Sequence, residues 1–191
     1  MKKTTFILAG IFGLCSLAAS AQATQAVNAI TATSYLGTSN NIDVVFKRQA
    51  VAAGLLSTTS TAFGVNANSM PNSISLGINA GRFSSGIGSN TYIGQSAGRG
   101  SSATSLNSGS LNTFIGFNAG STNSTGSGNI FLGPNTGRYN EGDNNIYLGN
   151  GAGCEDGVGV SGSIFIGYQA GFTECASNKL VIGNGEDDKL I

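Results

Sequence analysis

Asn112-Thr113-Phe114-Ile115-Gly116-Phe117-Asn118-Ala119-Gly120 decides the fold, because the chain repeats this phrase from its middle to its end. Before it stand Ile74-Ser75-Leu76-Gly77-Ile78-Asn79-Ala80-Gly81 and Asn90-Thr91-Tyr92-Ile93-Gly94-Gln95-Ser96-Ala97-Gly98. After it come Asn129-Ile130-Phe131-Leu132-Gly133 with Gly137, Asn145-Ile146-Tyr147-Leu148-Gly149 with Gly153, and Ser163-Ile164-Phe165-Ile166-Gly167 with Gly171. Degenerate copies lie at the two ends, Ala62-Phe63-Gly64-Val65-Asn66-Ala67 and Leu180-Val181-Ile182-Gly183. From Gly64 onward the glycines at 77, 94, 116, 133, 149, 167 and 183 are spaced by 13, 17, 22, 17, 16, 18 and 16 residues. A repeat this short cannot hold a pair of helices, and it suits one turn of a β-solenoid of about eight rungs. Loop insertions account for the longer spacings, Ser101 to Ser105 in the interval of 22 and Glu155 to Gly162 in that of 18.

Aligned on the glycine, the repeats resolve into columns. The residue before it is Leu76, Ile93, Ile115, Leu132, Leu148, Ile166 or Ile182, aliphatic throughout. Two positions earlier stand Ile74, Thr91, Thr113, Ile130, Ile146, Ile164 and Leu180, which share a strand face with that column. The expectation is that these two columns fill the coil, with Leu76 to Ile182 as the rung core. The intervening column, Ser75, Tyr92, Phe114, Phe131, Tyr147, Phe165 and Val181, then faces outward. A continuous stripe of aromatics exceeds what soluble monomers leave exposed. A second copy of the chain or a folded-back loop could cover it; the loops are short and polar, which favours the copy. Tyr92, Phe114, Phe131, Tyr147 and Phe165 are accordingly the expected oligomer-interface column. Gly77, Gly94, Gly116, Gly133, Gly149, Gly167 and Gly183 suit turns with positive φ or close passage of neighbouring backbone. Asn90, Asn112, Asn129 and Asn145 open successive strands and are expected to form an amide ladder between rungs.

Thirty glycines without an every-third-residue period exclude collagen. Residues 1–21 read as a signal peptide: Lys2 and Lys3, an apolar run from Phe6 to Leu17, then Ala19-Ser20-Ala21. Leu14 ahead of Cys15 is not the small residue that usually precedes a lipidated cysteine. Residues 22–34 form a polar leader and 35–60 an N-terminal β cap, with Tyr35-Leu36-Gly37, Val44-Val45-Phe46 and Gly54-Leu55-Leu56 as its β-prone runs. Residues 61–191 are the β-roll domain. Cleavage after Ala21 removes two of nine basic residues, so 7 − 9 leaves a net charge of −2. That balance gives no basic face for nucleic acid and no basic patch for a membrane surface, so neither nucleic-acid binding nor membrane insertion after cleavage is expected.

The sequence has no histidine, which removes Ser/His/Asp triads, Cys/His dyads and His-based zinc sites. Phosphate-loop and dinucleotide fingerprints are absent. A polysaccharide-degrading solenoid needs clustered carboxylates and bases, whereas the few charges here sit in loops. The expectation is a protein that is not an enzyme, with no catalytic residue, no cofactor and no metal. The acidic groups Glu141/Asp143, Glu155/Asp156 and Glu186-Asp187-Asp188 lack the regular pattern of calcium rolls and read as solvated loop charge. Cys154 and Cys175 lie in loops of adjacent rungs and are candidates for a disulfide that the stacking geometry decides. Arg82, Arg99 and Arg138 each follow the second glycine of a rung, as a solubilising edge or as a shallow basic row for an acidic glycan.

The Asn-Thr-Phe-Ile-Gly-x-x-Ala-Gly phrase resembles the head repeats of trimeric autotransporter adhesins and the repeat regions of bacterial surface and phage tail-fibre-like proteins. The stretch from Tyr35-Leu36-Gly37-Thr38-Ser39-Asn40-Asn41 through Val44-Val45-Phe46-Lys47 to Thr61-Ala62-Phe63-Gly64 is similar to the lead-in of such repeats. Ser177-Asn178-Lys179-Leu180-Val181-Ile182-Gly183-Asn184 is similar to their close. This resemblance, over residues 35 to 191, implies a left-handed parallel β-roll that trimerises. It implies an exported, adhesive or structural module, extracellular or at the cell surface of a Gram-negative-type bacterium, with host or surface glycans or proteins as partners. A glycan- or receptor-binding tail-fibre-like module is the alternative. Related chains often continue into a coiled-coil stalk, a membrane-anchor barrel or a C-terminal chaperone. No heptad run occurs up to Ile191, so a short secreted relative and the front of a longer reading frame both stay open.

Overall fold

The structure, a computed structural model, describes residues 43–48, 51–85, 88–102, 107–153 and 159–185. The signal segment, the leader and the first run of the cap lie outside the described residues. The strands are β1 (Val44–Arg48), β2 (Val51–Leu56), β3 (Thr61–Phe63), β4 (Ile74–Leu76), β5 (Thr91–Ile93), β6 (Thr113–Ile115), β7 (Ile130–Leu132), β8 (Ile146–Leu148), β9 (Ile164–Ile166) and β10 (Leu180–Ile182). They form one sheet in sequence order. β1 and β2 make an antiparallel hairpin and β2 pairs antiparallel with β3. From β3 to β10 every pairing is parallel and in register. No helix occurs among the described residues. The protein is an all-β parallel solenoid whose first rung is covered by a hairpin.

From β3 to β10 each strand is only three residues long, because glycine ends it. At Gly94 φ is 127°, and a Cβ there would stand 2.6 Å from the carbonyl oxygen of Gly116 one rung on. Only glycine meets both conditions. Gly77, Gly116, Gly133, Gly149 and Gly167 repeat this geometry, whereas Gly183 at the end of the series lacks the positive φ. The backbone bonds continue through these glycines: Gly94 N donates to Leu76 O, Gly116 N to Ile93 O and Gly133 N to Ile115 O, each at 2.8 Å.

The two faces of the strand are the reverse of the sequence expectation. Tyr92, Phe114, Phe131, Tyr147 and Phe165 are at most 1% exposed within a single chain, so they are the core and not an oligomer interface. Their rings stack along the coil axis, with centroids 4.7 Å apart for Phe114–Phe131, 4.9 Å for Phe131–Tyr147 and 4.8 Å for Tyr147–Phe165, all within 12° of parallel. Leu76, Ile93, Leu132, Leu148, Ile166 and Ile182 are half-buried on the outside, and Ile115 is exposed. The reason lies on the wall facing the strand. Ala80, Ala97, Ala119, Ala152 and Ala170 line it, all fully buried, beside the second glycine of each rung. A Cβ on Gly98 would fall 2.2 Å from Tyr92 Cε1, and one on Gly120 2.4 Å from Phe114 Cε2. The interior is thus a slot one flat ring thick, and one aromatic per rung fills it. Burying each ring contributes about 1.5–3 kcal/mol, and ring pairs add about 0.5–1.5 kcal/mol.

One corner of the coil is polar and satisfied. Asn90 Oδ1 accepts from Asn112 N, Asn112 Oδ1 from Asn129 N, Asn129 Oδ1 from Asn145 N and Asn145 Oδ1 from Ser163 N, all at 2.9 Å. The Nδ2 groups donate to carbonyls across the corner, as Asn112 does to Gly126 O and Asn129 to Gly142 O at 2.8 Å. The ladder therefore runs mainly from side chain to backbone, and it satisfies buried peptide groups where the strand has not yet begun. At the capping end, Phe46 and Phe63 pack at 5.3 Å over Gly54, whose missing Cβ leaves room for the Phe63 ring.

Candidate functional site

With the rings inside, the outer sheet face carries the other two columns, mainly aliphatic with three threonines in the first. The first runs Thr61, Ile74, Thr91, Thr113, Ile130, Ile146, Ile164 and Leu180, and the second Phe63, Leu76, Ile93, Ile115, Leu132, Leu148, Ile166 and Ile182. No position in this strip is charged. Ile74 is 43% exposed, Ile130 39%, Ile115 and Ile164 37%, and Leu180 49%. Eight strands at the usual spacing give the strip a length of roughly 34 Å. Around the corner, Ile78, Phe117 and Tyr168 add exposed apolar surface from the residue that follows each strand-ending glycine.

The turn after that glycine carries polar side chains. Asn79, Asn118 and Asn135 adopt left-handed backbone, with φ between 54° and 58°. Asn118 Nδ2 lies 3.4 Å from Asn135 Oδ1 and Asn66 Nδ2 3.2 Å from Asn79 Oδ1. In the same column the next rung has Gly151, at φ 66°. Beyond the second glycine, Arg82 is exposed while Arg99 and Arg138 are half-buried. The Arg82 and Arg138 guanidinium carbons each sit 4.8 Å over the following ring, Phe83 and Tyr139. Ser121 stands between Arg99 and Arg138 in the column, so the three arginines do not form a continuous row. A cleft of about 300 Å³ opens beside Arg138, lined also by Asn135, Tyr139, Asn150, Gly151, Tyr168 and Phe172.

Of the acidic groups, Glu141 and Asp143 serve the stacking: Glu141 Oε1 accepts from Ser124 Oγ at 2.5 Å, and Asp143 Oδ1 from Ser127 N at 2.7 Å. Glu155/Asp156 and Glu186-Asp187-Asp188 lie outside the described residues. Among the described residues no cluster of His, Cys, Asp or Glu is built to hold a metal ion. Cys175 is disulfide-bonded and packs against the core; Cys154 lies outside the described residues.

Two tyrosines of the stack keep polar tips. Tyr92 OH meets Ser84 Oγ at 3.3 Å and Asn107 Nδ2 at 3.4 Å, and Tyr147 OH accepts from Asn140 Nδ2 at 3.0 Å. Burial disfavours the phenolate, so the Tyr92 hydroxyl is pushed up to about 12 and that of Tyr147 is also driven well above its ordinary value. These groups stay protonated, and their part is structural. Comparison with known protein families, with curated proteins and with solved structures finds no match to this chain.

Proposed function

We propose that the protein is an exported, non-catalytic structural or adhesive module of a bacterial surface, assembled as a homotrimer through its outer aliphatic face. The observation that carries this is the uncharged outer strip along eight stacked strands, apolar at every position except Thr61, Thr91 and Thr113. Apolar surface of that extent, presented side by side at rung spacing, is unusual for a soluble monomer. Its side chains recur every 4.8 Å or so along the axis, and the surface that matches such a period is another copy of the same coil. Copies meeting face to face about a common axis form a closed assembly, and the number three comes from the resemblance to adhesin-head repeats. The signal segment supports export. An array without histidine, whose carboxylates at Glu141 and Asp143 hold the stack together, suits a scaffold better than a catalyst.

Light scattering on the chain from residue 22 onward tests the assembly. The expected mass is three times that of one chain at micromolar concentration, and a single-chain mass there overturns the reading.

A further inference from the structure

We infer that the cleft beside Arg138 is a binding site for a carboxylate-bearing hexose unit of a glycan, which rests on the adhesive reading and gives it a ligand class. The cleft spans three rungs. The rung of β7 contributes Asn135, Arg138 and Tyr139, that of β8 Asn150, Gly151 and Gly153, and that of β9 Tyr168, Gln169 and Phe172. It exists because the middle rung has no side chain where its neighbours do. In that column Asn79, Asn118 and Asn135 have left-handed φ and carry side chains, so the backbone conformation does not demand glycine at 151. Nor does packing: a Cβ on Gly151 would meet only Gln169 Cγ, at an ordinary 3.4 Å, while those on neighbouring glycines would strike backbone or a ring. Gly151 opens a space that the fold itself does not need.

The chemistry of the walls names the occupant. Tyr168 is half exposed, and with Tyr139 and Phe172 it offers apolar ring surface for the C–H face of a pyranose. Asn135, Asn150 and Gln169 supply paired donors and acceptors for ring hydroxyls. Arg138 is held over the Tyr139 ring; its Nε, like that of Arg99, is buried without a hydrogen-bond partner, so the terminal nitrogens are the donors that can meet a ligand. Among the described residues no carboxylate lines the cleft. A guanidinium held over a ring, with no acid partner among the described residues, is suited to a planar carboxylate from outside. The volume of about 300 Å³ is at the small end of ligand clefts, which run from roughly 300 to 1,000 Å³, and it fits a sugar unit.

Glucuronic acid and glucose differ only at C6, as carboxylate or hydroxymethyl, and are the probes. Saturation-transfer NMR and calorimetry on the intact chain are expected to show glucuronate binding with a dissociation constant on the order of millimolar and glucose at least tenfold weaker. Arg138→Gln is expected to weaken glucuronate at least tenfold. Gly151→Asn places the column's own residue in the cleft and is expected to abolish binding. Both variants keep the light-scattering mass of the wild type, so the outcome for the cleft is separate from that for the assembly. Equal binding of glucose and glucuronate, no glucuronate binding, undiminished binding by Gly151→Asn, or a hexaglutamate peptide competing as well as glucuronate would each overturn the assignment.

Discussion

At the scale of single residues, the core depends on pairing a ring with a missing side chain. Phe131 lies over Gly137, six residues on in the same rung, and between the rings of Phe114 and Tyr147. Phe131→Ser removes both contacts in a slot too narrow to refill, so a loss of about 3–5 kcal/mol is expected from thermal or urea unfolding. The same position tests the polar tips. Asn123 is fully buried with neither Nδ2 nor Oδ1 partnered, and it precedes Phe131 by eight residues, as Ser84 precedes Tyr92. Phe131→Tyr supplies the missing hydroxyl and is expected to raise stability by about 1 kcal/mol; a lowered melting temperature would show that the amide points elsewhere. Leu111 is a separate case: at φ 60° it holds a conformation that Gly128, Asn144, Gly162 and Asn178 hold in later rungs, and it is 68% exposed. Leu111→Gly relieves left-handed strain of roughly 1–2 kcal/mol without losing packing. Unfolding should move to higher denaturant, and an unchanged midpoint would show that the left-handed backbone at Leu111 carries no such strain.

At the scale of the element, the three-residue strand explains what could be read in advance and what could not. Its glycine spacing, the aliphatic column and the loop insertions were legible, because a period of sixteen or seventeen residues is a property of the sequence itself. Alternation also showed that Tyr92 and Ile93 point to opposite sides. It did not show which side is inside, since both columns are apolar. The deciding signal was in the facing wall: Ala97 and Gly98, Ala119 and Gly120, Ala152 and Gly153 are too small to enclose two aliphatic columns, and they match a single stacked ring. Gly151 interrupts a column written with asparagine, serine and glutamine from Asn66 to Gln169, a signal present in the sequence, but the cleft also needs rungs on both sides. The buried tyrosines give the element a pH limit. Their folded pKa values lie above those of the unfolded chain, so the stability they carry is intact below about pH 10 and falls as pH rises through about 12 at Tyr92. Tyr147→Phe leaves Asn140 Nδ2 still bonded to Val160 O and should flatten that alkaline loss, seen as a smaller drop in melting temperature between pH 9 and 11.

At the scale of the whole molecule, one stack of rings holds the coil together, while the outer columns are the face we propose for contact between coils. On that proposal stability and assembly reside in different columns of the same repeat, and mutation separates them. The variant carrying Ile115→Lys, Ile130→Lys and Ile164→Lys changes only outer positions, at least 37% exposed, on three successive or near-successive rungs. The most direct test of the account is the light-scattering mass of this variant, read beside its far-ultraviolet circular dichroism. The predicted result is a single-chain mass with the β signal of the wild type. A trimer mass unchanged by the three lysines would contradict the assignment of the aliphatic face to assembly.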